Sequence, residues 1–141
     1  MPLPTISPVT VTRAEANAAL EAGFARGAEL GIPFTIAVLD GGGNIVAQAK
    51  EDGAALASVG TSFAKAVTAV HFAQPTQALQ GATAPGAPLY GLGSRDAVYA
   101  FVGGGVPIAN AAGTIIGAIG VGGGSPADDH QVASAAAAAL A

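Results

Sequence analysis

Residues 38–49 read VLDGGGNIVAQA. Two apolar runs flank three glycines, with Asp40 before them and Asn44 after. Gly, Asp and Asn adopt the backbone conformations that tight turns demand. The stretch therefore predicts a β-hairpin, with FTIAVLD (34–40) as its first strand and NIVAQA as its return. The same loop, Asp40-Gly41-Gly42-Gly43-Asn44, also reads as a ligand loop, because bare amides can meet a carboxylate or another anionic group.

Upstream, TRAE (12–15) has the form of a capping box, Thr12 with Glu15 three positions on. Leu20, Phe24 and Ala28 recur at helical spacing, with Gly23 and Gly27 beside them to permit close packing. Gly31 and Pro33 end this helix. Pro2, Pro4 and Pro8 keep residues 1–9 extended as an arm, so residues 10–141 form the single domain.

Downstream, ALASVGTSFAKAVTAVHF (55–72) predicts a mostly buried helix, stopped at Gln74-Pro75. Thr76 is placed to cap a short turn, TQAL. Residues 81–94 are rich in Gly and Pro and predict a long loop. VYAFV (98–102), GVPIAN (105–110) and TIIGAIGV (114–121) predict three strands, with a turn at Asn110–Gly113. Ser125-Pro126-Ala127-Asp128 opens a last helix: a cap, Pro at the first helical position and an acidic first turn. The order α-β-β-α-β-β-β-α is an α+β arrangement, an antiparallel sheet with helices packed against it.

The composition narrows the function. Of 141 residues only 10% are charged, against about 25% in an ordinary soluble domain, and 51% are hydrophobic. So few charges cover a monomer's surface poorly, and a homo-oligomer is expected. The basic residues Arg13, Arg26, Lys50, Lys65 and Arg95 are scattered, which argues against nucleic acid. No Cys is present, so thiolate metal sites and Cys nucleophiles are excluded. The N-terminus lacks the pattern of a signal peptide and no stretch has the apolar length of a membrane span; a cytoplasmic protein without membrane contact is expected.

Lys65 interrupts an apolar helix, and a buried ammonium needs a carboxylate or a ligand anion. With Asp40 and Asp52 it is a candidate catalytic group, expected to face a pocket beside the Asp40 loop. GGGVPI (103–108) and GVGGGS (120–125) mark close approach of backbone or ligand. His71 and His130 are candidate metal or haem-iron ligands, weak ones because no spaced ligand set accompanies them. Tyr90 and Tyr99 are candidate oxygen ligands.

IAVLDGGGNIVAQAKEDGA, FAKAVTAVHFAQPT, GGGVPI and GTIIGAIGVGGGSPADD together resemble the GlcG/HbpS family of small haem-binding or haem-degrading domains, to which the C-terminal domain of PduO-type proteins also belongs. The resemblance covers residues 10 to 141. It implies a profilin-like fold, an antiparallel sheet of about five strands flanked by helices, in a homo-oligomer. It implies haem as cofactor, and a ligand site among Asp40, Gly41, Gly42, Gly43, Asn44, Lys65, Pro75, Thr76, Gly104 and Gly105. Asn44 stands where many members carry His. Three readings follow: a haem-binding or haem-degrading protein; an enzyme or binder for a small organic acid held by Lys65 and the loop amides; and a non-catalytic oligomeric scaffold.

Overall fold

The computed structural model describes residues 9–95 and 98–141; the arm expected over residues 1–9 lies, Val9 apart, outside them. Helix α1 spans Arg13–Leu30. The Thr12 hydroxyl accepts from Glu15 N and the Glu15 carboxylate accepts from Thr12 N, so the capping box is complete. Gly31 closes the helix in the left-handed region at φ 71, where a Cβ would be strained.

β1 (Thr35–Asp40) and β2 (Ile45–Lys50) form the hairpin, followed by α2 (Ser58–Phe72) and the single turn α3 (Thr76–Leu79). α4 (Leu92–Arg95), β3 (Gly105–Ala109), β4 (Ile115–Gly122) and α5 (Pro126–Ala138) complete the order. The strands form one antiparallel sheet, β2-β1-β4-β3.

Central β1 is buried along most of its length because helices cover both faces. Ile36 and Val38, with Ile119 and Val121 of β4, pack against Ala16, Ala19 and Leu20 of α1 and Val132, Ala133 and Ala136 of α5. Each buried Ile, Val or Leu side chain contributes about 1.5–3 kcal/mol, each Ala less. On the other face Leu39 meets Ala66 and Val67 of α2, and Thr35 Oγ1 lies 2.6 Å from Ser58 Oγ. The helix comes so close here that a Cβ on Gly120 would strike the Ser62 carbonyl and Ala66. The Ala-rich sequence of α2 and the glycines of β4 are two halves of one packing solution.

The expected strand over VYAFV is corrected. Ala100 N donates to Thr68 Oγ1 (2.9 Å), and the Val102 carbonyl accepts from Thr76 Oγ1. Hydroxyls of α2 and α3 take the bonds that a neighbouring strand would have made. Pro107 lies in edge strand β3, where a residue without N–H is tolerated. The sheet thus has four strands among the described residues, in the order α-β-β-α-β-β-α once the single turns are set aside. Thr76 is likewise not the cap of its turn; it is the first helical residue, and its hydroxyl also accepts from Gly105 N (2.9 Å). The segment expected as a long loop is a chain of tight turns, Ala84 N to the Gly81 carbonyl, Ala87 N to Ala84, Tyr90 N to Ala87.

Candidate functional site

The glycine loop is satisfied from within. Asp40 Oδ1 accepts from Gly42 N (2.9 Å) and Asn44 N (2.9 Å), and Asn44 Nδ2 also reaches the carboxylate. Gly43 N donates to the Asp40 carbonyl (3.0 Å) and Gly41 N to Thr10 Oγ1 (3.1 Å). The amides expected to receive a ligand carboxylate therefore already have acceptors. The β3–β4 turn repeats the plan without a glycine run: Asn110 Oδ1 accepts from Ala112 N and Thr114 N, and Gly113 N donates to the Asn110 carbonyl. Both are side-chain-closed turns of Asp or Asn.

Lys65 stands elsewhere. Its ammonium donates to Asp129 Oδ2 (2.7 Å) and to the Val121 carbonyl (3.0 Å). Asp40 pairs with Gly117, four residues before Val121 on β4, which puts about 13 Å of strand between the loop and the ammonium. The expectation that Lys65 faces a pocket at the Asp40 loop is corrected. Its charge is met by a carboxylate of the same chain, as a buried ammonium requires. Asp129 Oδ1 in turn accepts from Gly124 N (2.8 Å). Burial pushes the Asp129 carboxyl above its usual range, against the opposing pull of Lys65 and the Gly124 amide.

The structure brings Lys65, Gly104, Gly105 and Thr76 together and separates them from Asp40–Asn44. Gly104 has φ 130, and a Cβ there would lie 2.8 Å from Lys65 Cδ and 2.9 Å from Asp129 Cβ. The glycines of GGGVPI thus admit the ion pair. Pro75 caps α3, and Asp52 is exposed in the turn after β2, at the opposite end of that strand from Asp40.

His71 lies in the last turn of α2 and is exposed. Its Nδ1 is 2.8 Å from Tyr99 Oη. Its Nε2 faces the hairpin turn, 3.9 Å from where a Gly43 Cβ would sit. The Tyr99 ring makes edge contacts with His71 and Phe72, and Phe72 does so with Phe101. His130 is half-buried on α5; its Nδ1 has no hydrogen-bond partner and Nε2 lies 3.4 Å from Ser134 Oγ. Tyr90 is exposed. Among the described residues no group of three or more His, Asp or Glu is placed to hold a metal ion.

Two relationships escaped the sequence. Asp129 as the partner of Lys65 was half-signalled by the demand for a buried counter-charge. The Tyr99–His71 pair had no signal, since 28 residues separate them.

The chain is an α+β protein with an aromatic-flanked, exposed imidazole and an internally neutralised lysine. The chain matches the family described as haem-degrading protein HbpS-like over residues 11–138, and it belongs to the HbpS-like family. It is 36% identical over 129 residues to a 15.0 kDa protein encoded in the dhaT–dhaS intergenic region of Citrobacter freundii, covering 90% of this chain and 89% of that one. Protein ORFY of Klebsiella pneumoniae has the same fold, with TM-score 0.90 and 29% identity over 99% of this chain and 97% of that one. PduOC, solved as a complex with heme, superposes with TM-score 0.88 and 30% identity over 93% of this chain and 95% of its own. No helix among the described residues is long and apolar enough to cross a membrane.

Proposed function

We propose that this chain binds haem, with His71 Nε2 as the iron ligand. One observation carries the reading. His71 is exposed, its Nδ1 is engaged by Tyr99 Oη, and Nε2 is directed toward the hairpin turn, where Gly43 carries no side chain. In the metal-competent tautomer the hydrogen sits on Nδ1 and is donated to Tyr99, so Nε2 keeps its lone pair. A partner on the second nitrogen is how ligating histidines are commonly oriented. Phe72, Tyr99 and Phe101 add aromatic surface beside the imidazole, suited to an apolar macrocycle.

Bound haem would supply redox chemistry at its iron; this chain's part is to orient the imidazole and to flank the macrocycle. Family membership and the PduOC complex with heme support the choice of ligand class. Asn44 turns its side-chain amide to the Asp40 carboxylate. His71, across the turn, is the residue that would hold the iron. The organic-acid reading loses its anchor, since the Lys65 charge is already matched by Asp129.

The test is an absorbance titration of the purified protein with hemin, beside His71→Ala. A saturable Soret band in the wild type that is lost or weakened at least about tenfold in the variant, roughly 1.4 kcal/mol, supports the assignment. Equal binding by the two refutes it.

A further inference from the structure

Asp-Gly occurs twice in the sequence, at Asp40-Gly41 and at Asp52-Gly53. The dipeptide has a chemistry of its own. The glycine amide nitrogen can attack the side-chain carboxyl carbon of the aspartate, because glycine has no Cβ to obstruct the approach and its backbone rotates freely. Whether it does so depends on what holds the two groups, and the fold treats the two copies in opposite ways.

At Asp40 both groups are held. Oδ1 accepts from Gly42 N and Asn44 N at 2.9 Å each, and Asn44 Nδ2 lies 3.3 Å from both carboxylate oxygens. Gly41 N donates to Thr10 Oγ1 (3.1 Å), and Asp40 N donates to the Asn44 carbonyl (2.9 Å). Asp40 also pairs with Gly117 in the sheet. Attack by Gly41 N requires a local opening that breaks several of these bonds, and each one opposes it.

At Asp52 neither group is held. Asp52 and Gly53 are the exposed middle residues of a turn closed by Ala54 N donating to the Glu51 carbonyl (3.1 Å). Among the described residues the Asp52 carboxylate has no hydrogen bond or ion pair, and Gly53 N donates to no acceptor. Gly53 has φ 85, and a Cβ there would meet nothing nearer than Pro33 Cγ at 3.9 Å. The flanks of the turn are fixed. Glu51 N donates to the Phe34 carbonyl, Phe34 N donates to Glu51 Oε1, and Ala54 is buried. The frame is rigid while the two reacting groups within it are unbonded and open to water.

We propose that Asp52-Gly53 is a site of spontaneous aspartate isomerisation, selected by the fold over Asp40-Gly41. A bond forms between Gly53 N and Asp52 Cγ. The Cγ–OH bond of the carboxyl in its acid form breaks, and the hydroxyl leaves with the amide hydrogen as water. Water then opens the five-membered imide. Opening at the main-chain carbonyl leaves Gly53 attached through Cγ, an isoaspartate. Nothing is oxidised or reduced, and water is the only co-reactant. The product keeps its mass and adds one atom to the main chain, so the Ala54–Glu51 turn cannot close as it does now. The site lies at the opposite end of β2 from the Asp40 loop and does not rest on the haem reading.

The test ages the folded full chain at physiological temperature and mildly acid pH, followed by trypsin digestion and liquid chromatography with mass spectrometry. Cleavage after Arg26, Lys50 and Lys65 puts the two dipeptides in separate peptides, 27–50 and 51–65. Peptide 51–65 is expected to gain an equal-mass, separately eluting isomer at least about tenfold faster than 27–50. In urea, where the fold no longer distinguishes them, the two rates should converge. Asp52→Glu, whose imide would need a larger ring, should end the conversion of 51–65. The proposal is overturned if 51–65 of the folded chain converts no faster than 27–50. It is equally overturned if 51–65 stays unconverted over a time in which it converts in urea, or if the isomer persists in Asp52→Glu.

Discussion

Lys65 Nζ lies 2.7 Å from Asp129 Oδ2, and both side chains are almost wholly removed from water. The contact spans 64 residues of sequence and ties α2 to the start of α5. Breaking a buried pair from one side strands a charge, which costs about 3–5 kcal/mol, whereas replacing both partners by apolar groups is often close to neutral. Lys65→Met should therefore lose about that much stability in urea unfolding, and Lys65→Met/Asp129→Leu should recover most of it.

The pH dependence of this pair has a definite sign. Burial holds the folded-state pKa of Asp129 above its usual value of 3.8. A raised carboxyl favours the protonated form in the folded state. Its contribution to stability is fully present below the unfolded pKa and is lost as pH rises through the folded pKa. The stability of the wild type relative to Asp129→Asn should thus increase between about pH 7 and about pH 4. Unfolding of both proteins at the two pH values measures this. The opposite slope would mean that attraction to Lys65 outweighs desolvation.

Gly104 is fixed by the same pair. Gly104→Ala puts a methyl group 2.8 Å from Lys65 Cδ and 2.7 Å from the Val121 carbonyl, at φ 130. Overpacking and backbone strain together predict a loss of about 3 kcal/mol or more. Gly81→Ala, with nothing within 4 Å of the new methyl, serves as the control and should change stability by less than about 0.5 kcal/mol. Comparing the two melting temperatures checks the claim.

What was legible in the sequence was local. The Thr12–Glu15 box, the Gly31 stop and the Ser125-Pro126 start each depend on residues within one turn of each other. Both hairpin turns were legible for the same reason. VYAFV was misread because its apolar pattern fits a strand equally well; Thr68 and Thr76, distant in sequence, direct its backbone onto α2 and α3. The candidate site was legible only as a set of residues. Nothing local tells Lys65 to choose Asp129 over the Asp40 loop, or joins His71 to Tyr99.

The low charge content has its own consequence. Leu56 is 88% exposed, and Ile45 and Val59 are also exposed, with Gln48 of β2 donating to the Val59 carbonyl. Apolar residues grouped at the β2 edge and the start of α2 suit a contact between copies of the chain. Light scattering should give a multiple of the protomer mass at micromolar concentration, and Leu56→Asp should lower it. A monomeric wild type would overturn this reading of the composition.

If the imidazole of His71 holds haem, deleting it must remove binding that free imidazole can restore. The most direct test is a hemin titration of His71→Gly, followed through the Soret band with and without added imidazole. A weak or absent band is expected in the variant alone, with recovery when free imidazole fills the space of the deleted side chain. A variant that binds hemin like the wild type without imidazole would contradict this assignment.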